Sequence, residues 1–228
     1  MNYLAHAYLS FGRPEITVGN LVSDFIKGKK KFDYPPAIQR GIALHRAIDT
    51  FTDFHDVTRR AKVVFRSDYG LYAGALVDVV YDHFLANDPL AFGAGDGPGD
   101  SLAAGAGTRG TGTRETGTGT EAGLKAFTRK TYEQVSAWEA FFPERFNKMF
   151  PYMRAQDWLY NYRFREGIFN SFSGLARRAA YMPDPAAACR LFEEHYAELE
   201  ACYRDFFPSL KDFAFDTLEG LEKGLPLG

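Results

Sequence analysis

The chain has 228 residues, a formal net charge of -2, 46% hydrophobic and 16% aromatic content. That length and apolar share suffice for one substantial core and predict a single domain spanning residues 1–228. A near-neutral balance excludes a global electrostatic case for nucleic acid as the partner, because that requires a basic surface to neutralise phosphates. The two cysteines, Cys189 and Cys202, form no CxxC and no Cys/His cluster, and read as reduced structural thiols.

The opening MNYLAHAYLSF is apolar but has no basic leader, and Asn2, His6 and Ser10 interrupt it. It reads as neither a signal peptide nor a membrane span, since no run approaches the roughly 18 apolar residues a span needs. The expectation is a cytoplasmic protein with no membrane partner. From there the sequence follows helical rather than strand period, with stop signals at Gly12-Arg13-Pro14, Gly28, Pro35-Pro36, Pro89, Pro143, Pro151, Pro183 and Pro208. This predicts an all-α chain, a single compact helical bundle.

In chain order, the first predicted helix sets Asn2 and His6 four apart. The second sets Asn20 and Asp24 four apart and runs through Leu21, Val22, Phe25 and Ile26 to a stop at Gly28. The third starts at Pro35-Pro36, packs through Ile38, Ile42 and Ile48, and carries His45, Asp49 and Asp53 as one longitudinal stripe. In GALVDVVYDHFL, Asp78 and Asp82 lie among Val77, Val79, Val80, Phe84 and Leu85, with His83 directly after.

Between residues 93 and 123 the composition collapses to Gly, Thr, Ala and scattered charge, which predicts a flexible low-complexity loop. A phosphate-cradling loop is excluded there by the missing strand and the missing G-x-x-x-x-G-K-[ST] arrangement. Helical pattern resumes at Leu124. The aromatic C-terminal third, from Trp158 through Phe206, reads as packing scaffold, and His195, among Glu193, Glu194 and Glu198, as a surface histidine.

Acids buried in apolar helices are costly unless paired or bound to a cation, so these stripes point to a shared pocket of oxygen and imidazole ligands. Such a donor set suits Mn²⁺, Mg²⁺ or Fe²⁺, whereas a structural zinc site is usually built with cysteine. A cation of that kind can generate a nucleophile from water, which implies a hydrolase. Arg46, next to His45 at a different angle, adds a guanidinium suited to an anionic substrate such as a phosphate ester. His55, flanked by Asp53 and Asp56, suits an ordinary helix end, and no G-x-S-x-G supports serine catalysis.

The segments MNYLAHAYLS, GNLVSDFIKG, PPAIQRGIALHRAIDTFTD and VDVVYDHFLA, in that order, together resemble the acyl carrier protein phosphodiesterase family. FPERF and WLYNYR extend the resemblance into the C-terminal half. The resemblance implies an all-helical fold related to the HD phosphohydrolases and a manganese-dependent reaction. In it, water cleaves the phosphodiester joining 4′-phosphopantetheine to a serine of holo-acyl carrier protein. The adjacent His-Asp pair of HD enzymes is absent from the third helix, which has His45-Arg46, and Asp82-His83 is reversed.

Combining residues and resemblance, the metal ligands are expected to be His6, Asp24, His45 and Asp82. Asp49 and Asp78 orient ligands or take a proton from water, Arg46 binds the phosphodiester, and His83 positions the leaving group. Asn2, Asn20 and Asp53 support the ligands. Lys27, Lys29, Lys30, Lys31, Arg59 and Arg60 supply a local basic surface for docking an acidic carrier protein. Two other readings stay open: a metal-dependent phosphohydrolase of a nucleotide or other small phosphodiester, and a non-catalytic helical module that binds an acidic partner.

Overall fold

A computed structural model describes residues 1–93, 116–179 and 181–224. The described residues form twelve α-helices joined by turns and short 3-10 segments, with no strand among them. Helices α1 (Tyr3–Tyr8), α2 (Pro14–Val22) and α3 (Pro36–Phe54) come first, followed by α4 (Asp56–Tyr69), α5 (Ala73–Ala86) and α6 (Pro89–Phe92). The second half holds α7 (Thr116–Ser136), α8 (Glu144–Ala155), α9 (Trp158–Asn161), α10 (Arg165–Arg178), α11 (Pro185–Glu194) and α12 (Tyr196–Glu222). No helix among the described residues is long and apolar enough to cross a membrane.

The loop expected over 93–123 falls mostly on residues 94–115, outside the described residues. Its end differs from expectation, because α7 already runs from Thr116. Packing overrides the poor local propensity there: a Cβ on Gly123 would come within 2.1 Å of the Phe92 carbonyl oxygen, so only glycine lets α7 lie this close to α6. The second predicted helix is also shorter than its pattern. After Val22 it tightens into a 3-10 turn, Ser23–Phe25, and Gly28 turns the chain at φ +58°.

Helices α2 and α3 make the most extensive helix pairing among the described residues. They cross at Gly19 and Gly41: a Cβ on Gly19 would lie 2.2 Å from the Ile38 carbonyl oxygen and 2.8 Å from the Gly41 Cα. The apolar stripe of α3, with Ile38, Ile42, Leu44 and Ile48 each fully buried, sits against this crossing and against α12. Burying each such side chain contributes about 2 kcal/mol. Pro36 occupies the first turn of α3, where its missing N–H has no partner to lose. The long α12 lies across α3, α4 and α5. Its Tyr203 and Phe206 rings, with Phe192 of α11, fill the core as the aromatic scaffold expected from sequence.

Candidate metal centre

The Gly19–Gly41 crossing sets the register of the site. Asn20 follows Gly19, and His45 stands one turn beyond Gly41, so the His45 Nδ1–H reaches the Asn20 carbonyl oxygen and donates to it at 2.7 Å. The Asn20 side chain donates to the His6 carbonyl oxygen at 2.9 Å and to Ser10 Oγ at 3.1 Å, which binds α1 to the same crossing. Three elements thereby meet at one buried residue.

His6 and His45 stack with ring centroids 3.9 Å apart and planes at 15°. The carboxylate of Asp49 bridges them, Oδ1 lying 3.2 Å from His6 Nε2 and Oδ2 lying 3.0 Å from His45 Nε2. Asp24, presented by the 3-10 turn after α2, approaches His45 Nε2 at 3.1 Å from the solvent side, its side chain 69% exposed. The Met1 α-ammonium lies 3.3 Å from Asp49 and 3.1 Å from Asp78.

Two imidazoles this close disfavour a positive charge on both. Burial and the charge on His45 push His6 down to about 4, while Asp49 opposes the shift. Burial also disfavours protonated His45, but Asp24 and Asp49 outweigh it and lift His45 to about 9. Burial would raise Asp49, yet the Met1 ammonium and both imidazoles hold it well below the usual carboxylate range. A shared hydrogen bond to His45 lowers Asp24. The centre is thus a pair of carboxylates sharing the His45 imidazolium, with the Met1 ammonium also against Asp49.

That arrangement fits a divalent cation. Ligand atoms of His6, His45 and Asp49 all lie within 4.8 Å of one another, and they form the one such group among the described residues. The backbone acceptor on His45 Nδ1 directs its Nε2 into the group, as carbonyl partners of metal-binding histidines do. Neither ring nitrogen of His6, both buried, makes a hydrogen bond, so this ring is held by packing and by the 3.2 Å approach of its Nε2 to Asp49.

The other expected site residues lie elsewhere. Asp82, fully buried, accepts from the backbone N–H of Leu4 at 2.7 Å and of Ala5 at 3.2 Å. Its carboxylate serves the first turn of α1, the helix that carries His6, and Asn2 caps the same turn by accepting from Tyr3 N–H. Burial raises Asp82 to about 7, against those two hydrogen bonds and the Met1 ammonium. Asp53 pairs with Lys62 at 2.7 Å on the surface. Arg46 donates to the Ile26 carbonyl oxygen at 3.1 Å, tying the Asp24 turn to α3.

Lys29, Lys30 and Lys31 lie in the 3-10 segment Gly28–Asp33 just beyond that turn, with Lys27 immediately before it. Arg59 and Arg60 stand on α4 in ion pairs with Asp56 and Asp205. His55 caps α4, its Nδ1 accepting from Val57 N–H at 3.3 Å, and packs against Phe51 and Phe206. His195 pairs with Glu198 on the surface.

His83 points the other way on α5. Its Nδ1–H donates to the Tyr162 carbonyl oxygen at 2.7 Å, so Nε2 is left to accept from the Tyr196 hydroxyl at 3.2 Å. Burial lowers it to about 4. A histidine depressed below its unfolded value of about 6.5 favours folding above that value, and the advantage is lost as pH falls through the window from 6.5 to 4. Between pH 7 and pH 5 this costs about 2 kcal/mol. Urea unfolding of wild type and His83→Gln at both pH values measures it: the variant is expected to lose about that much less stability on acidification. Parallel losses in the two proteins would refute the assignment.

Fold and site together define a class: an all-helical protein whose buried imidazole–carboxylate centre is suited to a divalent cation. The chain belongs to the acyl carrier protein phosphodiesterase family, whose profile matches residues 1–96 and 114–210. An acyl carrier protein phosphodiesterase of Yersinia pestis is 28% identical over 210 residues, 92% of this chain and 95% of that protein. One from Photorhabdus laumondii is 26% identical over 94% of this chain and 95% of its own, and one from Escherichia coli O157:H7 is 28% identical over 92% and 95%. No solved structure matches.

Proposed function

We propose that this chain hydrolyses the phosphodiester between 4′-phosphopantetheine and a serine of holo-acyl carrier protein, giving apo-carrier protein and 4′-phosphopantetheine. The observation that carries the reading is the His6–His45–Asp49 group, buried at the crossing of α1, α2 and α3 in a chain whose relatives bear that activity in their names. His6, His45 and Asp49 would hold a divalent cation, with manganese the first choice, and Asp24 would stand beside it on the solvent side. When bound, that cation supplies Lewis acidity that activates water and offsets phosphate charge.

The protein's own groups do the rest. Asp24, the most exposed of the four, would accept the proton of the attacking water from the solvent side. Arg46, next to His45 on α3 and hydrogen-bonded to the Ile26 carbonyl oxygen, would contribute charge to the phosphodiester. Asp78 holds the Met1 ammonium and with it the orientation of Asp49, while Asn20 and Asp82 fix the rings by fixing α3 and α1. The lysines of the 3-10 segment that follows Asp24 would suit an acidic carrier protein.

Incubation with holo-acyl carrier protein and Mn²⁺, followed by intact-mass analysis, tests the reading. The carrier is expected to lose the mass of the whole phosphopantetheine group. An unchanged carrier, with turnover of a small phosphodiester instead, would move the activity to a nucleotide-type substrate.

A further inference from the structure

A groove of about 680 Å³ opens between the first turn of α1, the helix that carries His6, and one face of α10. That volume falls within the range of sites that enclose small organic ligands. Asn170, Gly174, Arg177 and Arg178 line it, and their spacing of four, three and one places them on a single face of α10. Gln156 and Asn161 add carboxamides and Trp158 an indole from around α9. A Cβ built on Gly174 meets nothing within 4 Å, so the glycine leaves open space where the groove passes.

The groove reaches the metal centre through α1. Tyr3 lines it together with Arg178 and donates its hydroxyl to Met149 Sδ, another lining residue, while His6 follows one turn later on the same helix. None of these α10 residues contributes to the centre itself. The lining combines two guanidinium groups, several carboxamides that both donate and accept, and an aromatic face. It suits an extended ligand with an anionic end and amide groups along its length.

Resting on the function proposed above, we propose that this groove holds the phosphopantetheine arm of the substrate, with Arg178 at its phosphate end and the carboxamides along its amides. It thereby determines recognition of the prosthetic group separately from recognition of the carrier protein.

The test uses the full chain as wild type, Arg178→Gln and Gly174→Trp. Calorimetry with free 4′-phosphopantetheine, with pantetheine and with inorganic phosphate is set beside KM for holo-carrier protein. The wild type is expected to bind 4′-phosphopantetheine more tightly than either fragment. Each variant should lose about tenfold in that affinity and gain about tenfold in KM, with an unchanged circular dichroism spectrum. Variants that bind 4′-phosphopantetheine and turn over substrate as wild type does would overturn the groove. Wild type that binds 4′-phosphopantetheine through Arg178 yet leaves holo-carrier protein intact would uphold the groove and refute the proposed reaction. Phosphate binding as tight as 4′-phosphopantetheine would reduce the site to an anion site and overturn its claim to the arm.

Discussion

Replacement of His45 by alanine is expected to abolish hydrolysis of holo-acyl carrier protein, by at least about a thousandfold, and to deprive the purified protein of stoichiometric divalent metal. The ring does three things at once. Its Nε2 lies within 3.1 Å of both Asp24 and Asp49, its face stacks on His6, and its Nδ1–H occupies the Asn20 carbonyl oxygen. Alanine leaves two carboxylates facing each other without the group they share, and leaves a buried carbonyl oxygen unpaired at a cost of about 1–3 kcal/mol. Far-UV circular dichroism should hold, because α3 is pinned by Ile38, Ile42, Leu44 and Ile48 rather than by His45. Metal analysis and single-turnover assays measure the outcome. Undiminished turnover in a folded variant would remove His45 from the centre.

The part of the site that was legible in sequence is the part carried by spacing within one helix. His45 and Asp49 are four apart on α3 and do share a face, as their 3.0 Å contact requires. Spacing cannot say what a face meets. Asp78 and Asp82 show the same pattern on α5, yet Asp78 meets the Met1 ammonium and Asp82 meets the amides of Leu4 and Ala5. His83, about 100° further round the helix than Asp82, had to point elsewhere, and it packs under Tyr162 and Tyr196.

Asp53 continues the stripe of His45 and Asp49, but each step of four advances about 40° around the helix, and by the third position the side chain has reached the surface and Lys62. The bundle of helices was readable from period and from most of the proline and glycine stops, but Pro151 and Pro208, expected to end helices, lie inside α8 and α12, where packing holds the helix through them. The groove beside α10 was not, because it is assembled from segments more than a hundred residues apart in sequence, and no local pattern marks such a meeting.

Nor does any local pattern mark Gly19 and Gly41, because what makes them necessary is the neighbouring helix each one meets. Gly41→Ala is expected to be among the most damaging single-methyl additions in the chain. The new Cβ would lie 2.4 Å from the Ile16 carbonyl oxygen and 2.9 Å from the Gly19 Cα. Both are backbone atoms, so no rotamer change relieves the clash and the two helices must separate. Overpacking of this kind costs about 3 kcal/mol, which for a chain of this length lowers the melting temperature by roughly 10 °C.

The separation also pulls Asn20 away from His45 and His6, so metal affinity should fall together with stability, although neither glycine touches the centre. Gly220→Ala provides the contrast. It lies within α12, its added Cβ meets nothing within 4 Å, and the gain in helix propensity should stabilise the fold by about 0.5–1 kcal/mol. Thermal melts of the two variants, each with and without Mn²⁺, separate the effects. If Gly41→Ala melts and binds metal like Gly220→Ala, then the backbone-to-backbone crossing does not set the register of the histidines.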